Sequence, residues 1–127
     1  MQVTAFDHVN VRTSRLQEMV DWYGDILDLN PGPRPEFDMP GAWLYLGEQP
    51  IIHLVGVEGD PIAGGDVTLE HFALRATGMD AFKAKLAERG IEPMYAKVPG
   101  LPIVQVNIAD PDGNHIHIDF DVSEHDA

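Results

Sequence analysis

Four histidines recur in pairs along this 127-residue chain, and imidazole is the commonest metal ligand among protein side chains. His8 and His71 lie 63 residues apart, and His53 and His117 lie 64 residues apart. The first pair also shares its surroundings, since each histidine follows an apolar residue and an acid and precedes an arginine by four places. Four such imidazoles could together hold a divalent transition metal.

The duplication predicts two copies of a β-α-β-β-β module and therefore an α+β fold. We expect module 1 to span about residues 1–60 and module 2 about residues 66–121, within one domain of residues 1–127 that ends in a short polar tail. Apolar residues spaced at helical intervals from Leu16 predict the first helix. Ser14 predicts its start, as the first residue of a capping box.

Strand periodicity decides where the four histidines point, because alternate side chains lie on opposite faces. The first predicted strand, Val3–Arg12, places His8 opposite Val9 and Val11. The other three histidines likewise face away from an apolar row that can pack on a helix. All four can then converge on the concave side of a curved sheet, so we predict the metal ligands to be His8, His53, His71 and His117.

Composition excludes several classes of function. The formal net charge of −13 argues against binding to nucleic acid or to an anionic membrane surface, since both need a basic patch. The absence of cysteine excludes disulfides, thiolate nucleophiles and cysteine-ligated metals. The N-terminus shows neither a basic nor an apolar leader segment, so we expect a cytoplasmic protein.

Four stretches of the chain are similar to the vicinal-oxygen-chelate superfamily, which contains glyoxalase I, extradiol dioxygenases, and fosfomycin- and bleomycin-resistance proteins. The resemblance covers about residues 3 to 120, and its fold consists of paired βαβββ modules that form a cupped mixed sheet around a metal. The stretches that carry it are Phe6-Asp7-His8-Val9, Trp22-Tyr23 with Ile26-Leu27, Glu70-His71-Phe72-Ala73-Leu74 and Asp110-Pro111-Asp112-Gly113-Asn114.

The resemblance implies metal ligands on the first and fifth strands, which match His8 and His71. The eighth strand of the family usually supplies a Glu, and here that position is His117. Glyoxalase I takes a further ligand, usually Glu, from the fourth strand, and here that position is His53. We give His53 and His117 catalytic roles at the metal, and we expect His53 to be the weakest ligand or a pocket residue.

Further side chains are predicted to surround the metal. Trp43 and Tyr45 on one strand, and Gln105 and Asn107 on another, are candidates for substrate binding. The aromatic pair could instead serve packing or a dimer interface, and the amides could face solvent. His115 and Asp119 are expected to support the site from outside the ligand set, and Asp119 could equally be an exposed strand acid.

We interpret the chain as a divalent-metal-dependent enzyme that acts on a small anionic or phenolic chelating molecule. Because both carboxylate positions hold histidine, the base used by glyoxalase I is missing, and we favour an Fe(II) oxygenase of the ring-cleaving kind. Mn, Ni, Zn and Co are the other candidate metals. The alternatives are a redox-neutral lyase or isomerase similar to glyoxalase I, and a metal-free protein that sequesters ligands. The resemblance also implies a homodimer.

Overall fold

The computed structural model describes residues 1–125, and within them the chain forms eight strands and three helices. In chain order these are β1 Val9–Thr13, α1 Leu16–Leu27, β2 Asn30–Pro31, β3 Gly41–Leu46, β4 Gln49–Gly56, β5 His71–Arg75, α2 Met79–Glu88, β6 Met94–Lys97, β7 Ile103–Ala109, β8 His115–Asp121 and α3 Val122–His125.

The chain divides into two compact units, one of Met1–Ile62 and one that begins at Ala63. The first unit holds a four-stranded sheet in the order β1-β4-β3-β2, and the second holds a sheet in the order β5-β8-β7-β6. Strand β1 pairs in parallel with β4, and β5 pairs in parallel with β8. The other pairings in both sheets are antiparallel. The predicted α+β fold of two βαβββ modules is confirmed.

The core of the first unit lies between α1 and its sheet. Met19, Tyr23 and Ile26 form the buried stripe of the helix, as the apolar spacing predicted. Leu44 on β3 and Leu54 on β4 are buried in the same unit. Removing each of these large side chains from water stabilises the fold by roughly 1.5–3 kcal/mol.

The core of the second unit consists mainly of alternate residues on its two central strands. On β7 and β8 the even-numbered residues are buried: Val104, Val106, Ile108, Ile116, Ile118 and Phe120. Helix α2 contributes Leu86, and its Phe82 ring lies 5.8 Å from the Phe120 ring, centroid to centroid. The odd-numbered residues of β8, which include His115 and His117, therefore lie on the face away from this core.

Two sequence-based expectations for the first unit were wrong. The first strand begins at Val9 rather than Val3, since its pairing with β4 starts at Val9 opposite Ile52. That pairing continues to Thr13, so α1 begins only at Leu16 and carries no side-chain cap. Ser14 does not form the predicted capping box, because its hydroxyl donates to Asp60 instead.

The turn before β8 is closed by a single carboxylate. Asp110 Oδ1 accepts from the backbone amides of Asp112 and Asn114, at 3.0 Å each. Asp110 Oδ2 accepts from the Asn114 side-chain amide at 2.8 Å. Gly113 has φ 91°, a left-handed conformation that glycine adopts without steric cost. The turn fixes the point at which His115 and His117 enter the sheet.

No helix among residues 1–125 has the length and apolar character needed to span a bilayer.

Candidate metal-binding site

The second unit brings three histidines and one acid close together, and we call Glu70, His71, His115 and His117 the second-unit cluster. The ring centroids of His71 and His117 lie 4.6 Å apart, and those of His71 and His115 lie 5.0 Å apart. The strand pairing explains this arrangement, since β5 runs parallel to β8 with His71 opposite His115 and Ala73 opposite His117. Two predicted ligands, His71 and His117, are thus neighbours.

Glu70 is the hub of the second-unit cluster. One of its oxygens, Oε2, accepts from His71 Nδ1 at 2.7 Å and from His115 Nδ1 at 2.8 Å. These two hydrogen bonds, that from His115 first, lower the pKa of the Glu70 carboxyl. Glu70, His71 and His115 also each offer a potential ligand atom within 4.8 Å of the others. An ion held by this trio through Nδ1 would have to replace both imidazole protons.

His117 is the most enclosed of the second-unit histidines. It is 6% exposed, and its Nδ1 donates to Asp119 Oδ1 at 2.6 Å. The sequence left open whether Asp119 supports the site or is an exposed strand acid. The structure places it beside His117. His115 donates to Glu70, and its Nε2 also faces Asn107 Oδ1 at 2.7 Å. Both nitrogens of His115 thus face oxygen acceptors.

The predicted amides lie on the same sheet face as the second-unit cluster. Gln105 stands opposite Asp119, and Asn107 stands opposite His117, in the antiparallel pairing of β7 with β8. Side chains of directly opposed residues project from the same face. Asn107 is oriented by its own amide group, which donates to the Met94 carbonyl at 3.2 Å and so directs Oδ1 to His115.

The first unit arranges its histidines differently, as a stack of three rings that we call the first-unit stack: His8, His53 and Trp43. The His8 and His53 rings lie 3.7 Å apart at 8° to each other, and the His53 and Trp43 rings lie 4.0 Å apart at 11°. Ring nitrogens direct their lone pairs within the ring plane. Two parallel stacked imidazoles therefore cannot both aim at one ion in this arrangement.

The two histidines of the first-unit stack have different partners. His8 Nδ1 donates to Asp7 Oδ2 at 2.6 Å, and this hydrogen bond lowers the pKa of Asp7. His53 instead donates from Nε2 to the Pro50 carbonyl at 3.2 Å. Burial, followed by the nearby charge of His8, lowers the pKa of His53.

Tyr45 is anchored to the proline-rich segment that precedes β3. Its hydroxyl donates to the Pro33 carbonyl, and its ring fills the space that a side chain at Gly32 would need. The pairing of β3 with β4 shifts register between Leu44 and Tyr45, and the extra residue, Ile51, lies on β4. Trp43, opposite His53, belongs to the first-unit stack.

Each unit also has an open cavity. The cavity of the second unit, of about 580 Å³, begins beside Asp119 and is lined further by Arg75, Thr77, Ile103 and Phe120 among others. That of the first unit, of about 680 Å³, includes Tyr45 and Pro33. Both volumes lie within the range of small-molecule sites.

The donor set fits a divalent transition metal. Neutral imidazole nitrogen suits Fe, Zn, Ni and Cu, and metal-binding histidines commonly donate their other ring N–H to a carboxylate. His8, His71 and His117 each make that contact. Such an ion would make its bound oxygens more acidic and polarise an attached carbonyl.

Sequence reasoning missed Asp7 and Glu70 as members of the site. Both precede their strands, where β alternation does not fix the side-chain direction, and both turn toward the histidine that follows. The signal was visible in the sequence, since the acid-histidine pair is part of the repeated pattern of the two modules.

Comparisons with known proteins agree with this architecture. The sequence profile of the Glyoxalase/Bleomycin resistance protein/Dioxygenase superfamily matches residues 5–118. A curated relative, Glyoxylase I 4 of Arabidopsis thaliana, is 29% identical over 125 residues, which cover 93% of this chain and 71% of the relative.

Solved structures of the same kind superpose over nearly the whole chain. A glyoxalase family protein from Bacillus anthracis has a TM-score of 0.78 at 25% identity, over 95% of this chain and 98% of that one. Lactoylglutathione lyase from Agrobacterium tumefaciens has a TM-score of 0.72 at 18% identity, over 94% and 96% of the two chains. Together with the profile match, the histidines and the paired βαβββ units show that this chain belongs to the glyoxalase/bleomycin resistance protein/dioxygenase superfamily.

Proposed function

We propose that this chain is a divalent-metal-dependent enzyme whose substrate is a small anionic or phenolic molecule that chelates the metal through two adjacent oxygens. The observation that carries the proposal is the second-unit cluster, in which His71 and His117 are neighbours and each donates Nδ1 to a carboxylate. Their Nε2 atoms remain as ligand atoms. His8 and His53 as further ligands stay a prediction, and in this arrangement their stacked rings could not both bind the same ion.

The reaction we propose is an Fe(II)-dependent, ring-cleaving oxygenation. All the proposed ligand atoms are neutral imidazole nitrogens, so the bound ion keeps its full formal charge and attracts an anionic chelator such as a catecholate or enolate. Both atoms of O₂ would enter the substrate, which itself supplies the electrons. Gln105 and Asn107, on the face of the second-unit cluster, are the proposed side chains for orienting substrate oxygens.

A second function, a redox-neutral lyase or isomerase of the glyoxalase I kind, is favoured by two observations. The relative from Arabidopsis thaliana is named Glyoxylase I 4, and Glu70 brings a carboxylate to the second-unit cluster. An ionised carboxylate could take a proton from carbon beside a carbonyl.

Oxygen consumption separates the two reactions. Protein loaded anaerobically with Fe(II) is mixed with O₂ and a panel of catechols, and in parallel with a hemithioacetal in the absence of O₂. The oxygenase predicts substrate-dependent O₂ uptake at one equivalent per product. Turnover of the hemithioacetal without O₂ would select the isomerase. Elemental analysis that finds no metal bound to the protein would contradict both reactions.

We also propose that the protein is a homodimer. Strands β1 and β5 are each the outer strand of their sheet, and Phe6 and Leu69, just before them, are exposed large apolar side chains. Such apolar surface is typical of an interface. Sedimentation equilibrium on the full chain would measure the assembly directly.

A further inference from the structure

Three of the predicted histidine ligands have a carboxylate beside them, and in each case the carboxylate contacts the same ring nitrogen, Nδ1. Asp7 Oδ2, Glu70 Oε2 and Asp119 Oδ1 each lie 2.6 to 2.7 Å from the Nδ1 atom of a histidine. An ionised carboxylate only accepts hydrogen bonds, so Nδ1 must carry the hydrogen in each pair. A neutral imidazole then has its lone pair on Nε2, the atom that remains to bind a metal.

His53 shows the opposite arrangement. Its Nε2 faces the Pro50 carbonyl at 3.2 Å, and a carbonyl oxygen also only accepts. The hydrogen of neutral His53 therefore lies on Nε2, and its lone pair lies on Nδ1. The duplicated counterparts His53 and His117 thus differ in the one property that decides which atom can bind a metal.

Two of the carboxylates come from the duplication itself. Asp7 and Glu70 occupy the same place in the two modules, directly before the histidine and outside the regular strand. Asp119 reaches His117 from two residues further along β8, where alternation puts both side chains on one face. The carboxylate–Nδ1 contact therefore arises from two different backbone settings. A shared local backbone conformation does not explain it, whereas a shared chemical role does.

We propose that Asp7, Glu70 and Asp119 are positioning residues that hold His8, His71 and His117 in the tautomer with hydrogen on Nδ1 and the lone pair on Nε2, whereas Pro50 holds His53 in the opposite tautomer. The part of this proposal that concerns metal affinity rests on the proposed function. The tautomers themselves do not, because they belong to the metal-free protein.

Burial ranks the three carboxylates. The side chains of His117 and Asp119 are 7% and 18% exposed, whereas those of His71 and Glu70 are 42% and 54% exposed. Those of His8 and Asp7 are 38% and 75% exposed. Water competes for the exposed pairs, so Asp119 should matter most and Asp7 least. Glu70 should exceed Asp7 because it holds two imidazoles.

The tautomers are measured in ¹⁵N-labelled, metal-free protein by long-range ¹H–¹⁵N correlation at about pH 8, where histidine is neutral. We expect the unprotonated-nitrogen signal at Nε2 for His117 and, as the major form, for His71 and His8. For His53 we expect it at Nδ1. A majority of the Nε2–H form in His71 or His117, or the Nδ1–H form in His53, would overturn the assignment.

Metal affinity is then measured with Zn(II) alone, by chelator competition. We expect Asp119→Asn to weaken binding by roughly 10- to 100-fold, with smaller losses for Glu70→Gln and Asp7→Asn in that order. Asp119→Glu restores the acceptor and should recover part of the loss. The matched control is Glu58→Gln, which removes the same charge from an exposed position in the segment that follows β4.

The outcomes separate this proposal from the proposed function. Wild-type protein that binds no metal would contradict the proposed function. The tautomer assignment would still be tested independently by the ¹H–¹⁵N spectra. Metal binding with all three variants equal to Glu58→Gln would contradict the positioning role. A Co(II) absorption spectrum showing one fewer ligand in Glu70→Gln would make Glu70 a ligand and overturn its assignment here.

Discussion

The first-unit stack and the second-unit cluster share one repeated sequence pattern, yet their rings are arranged differently. In the first unit, His53 lies between two parallel rings at 3.7 and 4.0 Å. In the second, carboxylates and an amide hold tilted imidazoles by hydrogen bonds. Duplication thus preserved where the histidines lie along the chain, while the side chains around them determine what each can do.

The largest effect that would sharpen this comparison is on metal affinity. We expect His117→Ala to weaken Zn(II) binding by more than the roughly 100-fold that an outer partner can cost, because it removes a proposed ligand. We expect His53→Ala to change it by less than about tenfold, because the His53 ring is stacked parallel to His8 and the two cannot both aim at one ion. Chelator competition measures both.

His125→Ala is the control for this pair, because it deletes an imidazole that contacts Tyr95 rather than the second-unit cluster. Equal losses in His53→Ala and His117→Ala would erase the functional difference between the two regions.

A smaller effect is expected on stability. Trp43→Ala should lower the free energy of unfolding by about 1–3 kcal/mol, because it removes a half-buried ring stacked on His53. Gln105→Ala, on the face of the second-unit cluster, should cost less than about 1 kcal/mol. Urea denaturation followed by far-UV circular dichroism gives both values, and a Trp43→Ala midpoint equal to that of Gln105→Ala would show that the stack contributes little.

The smallest effect concerns pH. The pKa of His53 is lowered by burial. Below about pH 6.5, His53 therefore becomes protonated in the unfolded chain while it stays neutral in the folded chain. Stability should therefore fall as the pH drops below about 6.5, and this contribution should stop changing below the folded pKa of His53. His53→Gln removes it.

The measurement is the melting temperature of metal-free wild type and His53→Gln between about pH 7.5 and about pH 5, a range that spans the ordinary histidine pKa. The wild type should lose more than the variant on acidification. Parallel curves would mean that burial of His53 imposes no cost on its charged form.

The sequence predicted the fold because repetition and periodicity both encode it. The buried helix stripe and the alternation along β8 follow directly from apolar spacing, and both appear in the structure. It failed where a local interaction competes with the pattern. Ser14 has a good capping residue type, but the length of the β1 pairing moves the helix start beyond it.

Parts of the candidate site also escaped prediction for physical reasons. The hydroxyl of Tyr45 donates to the Pro33 carbonyl, a contact that period-2 reasoning cannot foresee. Glu70 precedes β5 in the structure, where alternation does not fix the direction of its side chain, and only the structure brings it to His71 and His115. Positions within regular strands were readable, whereas contacts with residues outside the strands were not.

The Asp110 carboxylate satisfies the turn before β8 from within five residues of sequence. The loop therefore needs no bound ion to set its shape, and its conformational entropy is already lost when the protein folds. A cation that binds would contact His117 on β8, and the position of that strand is already set by the turn before it. If the chain binds a metal as proposed, capture would then cost little reorganisation, and the metal would be acquired after folding.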